Sequence, residues 1–83
     1  MEALRAAGAS VVDVSQVGRG LPDLLVGRGG VTRLLEVKEP GGRLKPDQIA
    51  FIATWRGLEP RVVTTAEEAL RAIGALPDQP PPY

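Results

Sequence analysis

The pair Gly29-Gly30, set between two apolar runs, constrains this chain more than any other feature. Leu24-Leu25-Val26 precedes it, and Thr32-Arg33-Leu34-Leu35-Glu36-Val37-Lys38 follows. Two glycines between β-forming runs suit a two-residue type I′ turn, whose central residues both take positive φ. The pair predicts a hairpin, and the turn fixes its register: Arg28 faces Val31, and counting outward sets Asp23 opposite Glu36. Side chains alternate along a strand, so Lys38 shares the face of Glu36 and Asp23. Opposed residues have Cβ atoms about 4.5–5.5 Å apart, and two carboxylates that close repel each other. A divalent cation between them relieves the repulsion, and Lys38 alone relieves part of it. A slip of one residue would send Asp23 to the other face. Both runs are almost continuously apolar at their centres, which predicts a sheet covered on both sides.

The remaining elements follow from punctuation. Glu2 to Ala7 reads as a short helix stopped by Gly8, and Ser10-Val11-Val12-Asp13-Val14 as a strand. Ser15 to Gly20 is a loop with glycines on both sides of Arg19. A helix opens near Pro46, where a missing N–H costs nothing. Phe51, Ile52 and Trp55 share one of its faces with Gln48 and are expected in the core, with Gly57 as the stop. Trp55 has a second reading, as part of a dimer interface. Arg61-Val62-Val63-Thr64 is a strand, and Thr65-Ala66-Glu67-Glu68 is a capping box for a last helix running to Ile73, stopped by Gly74. The expected order is α-β-β-β-α-β-α, an α/β fold with a mixed sheet whose central hairpin is flanked by helices. Residues 1–75 form the domain, and residues 76–83, with four of the eight prolines, form a tail outside its core.

Composition narrows the chemistry. Eighty-three residues make one small domain, which buries only about 60% of its unfolded surface and is marginal alone. Cysteine and histidine are both absent, so there is no disulfide, no thiolate zinc site and no imidazole base. Any metal must be held by oxygen, as magnesium, manganese or calcium are. A domain this size without staples is expected to gain stability as a homodimer. No run reaches the roughly 18 apolar residues of a membrane span, and Met1-Glu2-Ala3-Leu4-Arg5 does not read as a signal peptide. The expected setting is the cytoplasm. Net charge is zero, but from Arg19 to Lys45 there are six basic residues against three acids, and elsewhere four against seven. The basic excess surrounds the paired carboxylates, although an ordinary mixed surface would look the same.

Gly20-Leu21-Pro22-Asp23, Glu36-Val37-Lys38, Pro40-Gly41-Gly42 and Pro46-Asp47-Gln48 stand in one order along the chain. That set resembles the PD-(D/E)XK nuclease superfamily, and within it the stand-alone VRR-NUC domains of phages and bacteria, relatives of Holliday-junction resolvases. The resemblance runs from about Gly8 to Ala69. It implies a restriction-endonuclease-like core, a Mg2+- or Mn2+-dependent deoxyribonuclease, duplex or branched DNA as partner, and a bacterial or phage-infected cell. It also implies roles. Asp23 and Glu36 hold the metal with the backbone carbonyl of Val37, Lys38 stabilises charge on the phosphate or positions water, and Gln48 orients Lys38 or the water. Arg19, Arg43 and Lys45 are the candidate contacts to the DNA backbone. A glutamate on the first helix usually adds an acid in this family; here Glu2 is the candidate, with a plain helix N-terminal acid as the alternative. The family's serine or threonine before the Pro46 position is Lys45 here, which removes a helix cap.

Each residue also has a blander role. Asp23 could be a turn residue after Pro22, Glu36 and Lys38 a solvated charge pair, Gln48 an ordinary first-turn residue, and Arg19 and Arg43 plain loop arginines. At the level of function, the rival reading is a catalytically inactive nucleic-acid-binding subunit that keeps the fold. A structural α/β module is a third, but it leaves the pattern from Gly20 to Lys38 unexplained. RNA as substrate and the choice between endo and exo cleavage stay open.

Overall fold

The computed structural model describes residues 1–77. Its elements are α1 (Glu2–Ala6), β1 (Ser10–Asp13), β2 (Leu24–Arg28), β3 (Val31–Val37), α2 (Pro46–Thr54), β4 (Arg61–Val63) and α3 (Ala66–Ala72). This is the order the sequence predicts. The strands form one sheet in the order β1-β2-β3-β4. The first three are antiparallel, and β4 runs parallel to β3 after the crossover through α2. Gly29 and Gly30, at φ 60° and 78°, close the β2–β3 hairpin with Arg28 across from Val31 and Leu24 across from Leu35. The predicted register therefore holds along the whole hairpin.

Pleating divides the sheet's side chains into two sets. Leu24, Val26, Leu35 and Val63 point to one face, where they are buried with Leu4, Ala9, Ala69, Ala72 and Ile73. The two terminal helices α1 and α3 pack against each other there. Local signals hold α3 in place: Thr65 Oγ1 accepts from the Glu68 amide at 3.0 Å, and Gly74 ends the helix at φ 76°. The reciprocal bond of the capping box shifts by one residue. The Glu68 carboxylate accepts from the N–H and hydroxyl of Thr64, both at 2.9 Å.

The opposite face carries Val12, Leu25, Leu34 and Val62, and only α2 lies near it. No residue of α2 is buried, and Val12, Leu25 and Val62 all remain exposed. Cover on both faces, expected from the apolar strands, is thus complete on one side only. Phe51 and Ile52 are half-buried and Trp55 is 47% exposed, so this triplet is not core. The helix ends before Gly57, because Trp55 turns extended (φ −68°, ψ 129°) while the Thr54 hydroxyl donates back to the Ala50 carbonyl. Trp55 then stacks on Phe51 at 5.1 Å between ring centroids and lies over Gly57. The proline-rich tail expected from residue 76 onward falls, from residue 78, outside the described residues.

Candidate active site

The hairpin register, carried one residue past Leu24–Leu35, sets Asp23 across from Glu36 on the α2 face. Neither carboxylate is loose. Asp23 Oδ2 accepts from the Val37 amide at 3.1 Å. Glu36 is only 3% exposed, the sole charged residue among those buried in the described chain. Its Oε2 accepts from Gln48 Nε2 at 2.8 Å and lies 3.3 Å from Lys38 Nζ. Its Oε1 is buried with no hydrogen-bond partner. A buried carboxylate oxygen normally finds a donor, because leaving it unmade costs on the order of 1–3 kcal/mol or more. This oxygen has none, and it lies on the same face as Asp23.

Pro22 explains why Val37 is available. In a two-residue hairpin the pairs that exchange backbone hydrogen bonds alternate from the turn outward. Arg28–Val31 begins that series, and Leu24–Leu35 continues it, so the next such pair would be Pro22–Val37. Proline has no N–H to give, and the Val37 N–H goes to Asp23 instead. The N–H and C=O of one strand residue point to the same edge, so the Val37 carbonyl faces the Asp23 side with no strand partner. The neighbouring Lys38 amide turns the other way, to the Val63 carbonyl at 2.9 Å. Pro22 itself is among the most deeply buried side chains, which anchors the loop immediately ahead of Asp23.

Gln48 joins the site from α2. Its Oε1 accepts from the Lys45 amide at 2.8 Å, which leaves Nε2 to point at Glu36. Lys45 carries no acceptor on its side chain and returns no cap, so only half of a capping box forms. The same amide group thus finishes the helix start and holds Glu36 Oε2. Lys38 is mostly buried, with its side chain 18% exposed, and its ammonium lies within reach of the face.

Glu2 does not join this group. It sits on α1, which packs with the opposite face, and it pairs with Arg5 at 3.2 Å. Arg19, Arg43 and Lys45 are exposed, in the β1–β2 and β3–α2 loops that lead into Asp23 and Gln48, and none forms an ion pair among the described residues. Arg19 holds φ 60°, the one non-glycine residue with positive φ in the described chain.

The donor set is hard oxygen throughout: Glu36 Oε1, the Asp23 carboxylate and the Val37 carbonyl. Among the described residues no third acidic side chain approaches to make a larger cluster. Two carboxylates and a carbonyl suit a cation that retains several waters, as magnesium does, better than one that demands a full protein cage. The residues fit such an ion, and the unpartnered Oε1 is where it would bind.

Asp23, Glu36, Lys38 and Gln48, the candidates read from the sequence, stand together on one face, but two contacts that arrange them have no local sequence signal. That Gly20 touches the backbone of α2, and that Pro22 frees the Val37 carbonyl, were visible only as letters of a motif. Beside the site on the same face lies a groove of about 400 Å³. It is lined by Val14, Leu21, Leu25, Leu34, Trp55 and Leu58; the exposed apolar surface near the end of α2 was its only sequence signal. The sequence profile described as the VRR-NUC domain matches residues 2–66, a span that includes the whole site. No curated protein and no solved structure matches the chain.

Proposed function

The chain belongs to the VRR-NUC domain family, a family of nucleases, and from that membership and the site we propose that it is a Mg2+- or Mn2+-dependent deoxyribonuclease. The observation that carries the reading is Glu36 Oε1, buried and unpartnered, on the face it shares with Asp23. Asp23, Glu36 and the Val37 carbonyl would hold the cation. When bound, a divalent cation supplies Lewis acidity that polarises the phosphoryl oxygen and makes water a nucleophile near neutral pH. Gln48 and Lys38 occupy Glu36 Oε2, which leaves the other oxygen free to take up a cation. Lys38 also offers its ammonium to the negative charge that grows on the phosphate as the bond breaks. Arg19, Arg43 and Lys45 flank the site and contact the DNA backbone, which orients the duplex without reading its sequence.

The direct test is a cleavage panel of supercoiled, linear and branched DNA with Mg2+, Mn2+ or EDTA. We expect cutting with either metal, none in EDTA, and faster turnover on branched substrates. Cutting that persists in EDTA would refute the metal role. Binding without cutting under every condition would favour the inactive nucleic-acid-binding subunit.

The same reading includes a homodimer. A domain of this size is marginal alone, and its α2 side leaves Leu25, Trp55 and Leu58 exposed in the groove and Val12 and Val62 exposed elsewhere on the same sheet face. Two copies related by a two-fold axis would also present two sites to the two strands of DNA. Light scattering at micromolar concentration should give twice the 8.8 kDa chain mass. A monomer that cuts both strands at a rate unchanged by dilution would exclude the dimer.

A further inference from the structure

Gly18, Arg19 and Gly20 take three successive positive φ values, 77°, 60° and 79°, so glycine at 18 and 20 first looks like a matter of turn geometry. The surroundings separate the two glycines. A Cβ at Gly18 would meet nothing within 4 Å. A Cβ at Gly20 would overlap the Asp47 carbonyl oxygen, with Asp47 C at 2.6 Å and Gln48 N at 3.1 Å. Gly20 is buried beneath the first turn of α2. The loop that delivers Pro22 and Asp23 therefore meets the helix that delivers Gln48 backbone to backbone, with no side chain between them.

α2 has little else to fix it. None of its residues is buried, and its polar tie to the sheet is the Gln48–Glu36 hydrogen bond. We propose that Gly20 is a positioning residue: its bare Cα seats the first turn of α2 and thereby holds the Gln48 amide on Glu36. Filling that seat lifts the turn by the width of a methyl group and draws Gln48 Nε2 away from Glu36 Oε2. Glu36 then loses the donor that fixes which oxygen faces Asp23. The catalytic consequence rests on the nuclease reading above; the structural one does not.

The test compares Gly20→Ala with Gly18→Ala, which adds the same methyl at nearly the same φ but in open space. The readouts are exchange of the Gln48 side-chain amide protons by NMR and single-turnover cleavage at saturating Mn2+. Gly20→Ala should bring the Gln48 amide to the exchange rate of a free side chain. It should also slow cleavage about a hundredfold, as small displacements of positioning groups do. Gly18→Ala should leave the amide protected and cleavage within about threefold of wild type, the scale of an ordinary surface change. In a Gln48→Ala background, Gly20→Ala should add almost nothing, because both act through one contact. A Gln48 amide unchanged by Gly20→Ala, or equal losses from the two glycine variants, would overturn the proposal. If wild type itself does not cleave while Gly20→Ala alone frees the Gln48 amide, the nuclease reading fails and the seat stands. Should Gly20→Ala not fold, wild type decides. A nuclear Overhauser contact between the Gly20 α protons and the Gln48 backbone amide proton supports the seat, and its absence removes it.

Discussion

Leu35 and Glu36 are neighbours on β3, and both are almost wholly withdrawn from solvent, yet they point to opposite sides of the sheet. Leu35 enters a core closed by α1 and α3, among the buried apolar side chains of Leu4, Val26, Val63 and Ile73. Glu36 turns to the α2 side, where it meets Gln48 and Lys38 and keeps one oxygen without a donor. The first face removes apolar area from water, the largest favourable contribution to folding. The second holds a charge out of water, which opposes folding, and leaves apolar side chains exposed, which contributes little to it. The difference teaches that one face carries the stability which lets the other hold an unfavourable arrangement. Because α2 contributes no buried residue, the α2 side can be adjusted with little effect on the core.

The adjacent pair gives the largest separation of effects. Leu35→Ala should cost about 2–5 kcal/mol of stability, enough to unfold much of a marginal domain, as read by chemical denaturation. Glu36→Gln should abolish cleavage while the metal-free protein keeps most of its stability, since relief of the repulsion from Asp23 offsets part of the lost Lys38 pair. Equal destabilisation by both variants would break the division of the faces. Next in size, Lys38→Ala should lower turnover by roughly 10²–10³ with DNA binding nearly intact. Lost DNA binding with normal single-turnover chemistry would assign Lys38 to binding instead.

The smallest effect belongs to the supporting face and should leave the α2 face untouched. Thr65→Ala removes the α3 cap and should cost about 1 kcal/mol without altering cleavage per folded molecule. The Thr64 N–H and hydroxyl hold the Glu68 carboxyl below its ordinary value of 4.5. A lowered folded pKa means that this contribution is fully present above about 4.5 and fades as the pH falls through the lower folded value. Glu68→Gln should therefore flatten the acid side of the stability curve. An unchanged curve would show that the Thr64 contacts do not matter to folding.

What the sequence revealed and what it hid divide along the same line. Gly29-Gly30 determined the register, and with it the opposition of Asp23 and Glu36, because a two-residue turn admits one alignment. Thr65, Glu68 and Gly74 made α3 legible through contacts within a few residues. The errors came where distant segments decide. The apolar centres of the two hairpin strands, Leu25 among them, promised a covering layer, but whether α2 covers that face depends on a crossover that periodicity does not encode. Phe51, Ile52 and Trp55 fit a core stripe, yet the helix stops at Thr54 and Trp55 folds over Gly57. The contact of Gly20 with Asp47 spans the β2–β3 hairpin, and no local signal marks it.

Thermal unfolding with and without Mn2+ tests most directly whether the α2 face is built to receive a cation. At a hundredfold excess over Kd, a ligand that binds only the folded state contributes about 2.7 kcal/mol, or roughly 10–20 °C of Tm for a domain this small. Wild type should show that rise, while Asp23→Asn and Glu36→Gln should show almost none at the same Mn2+ concentration. A wild-type Tm indifferent to Mn2+, or a rise that survives in Glu36→Gln, would contradict the account.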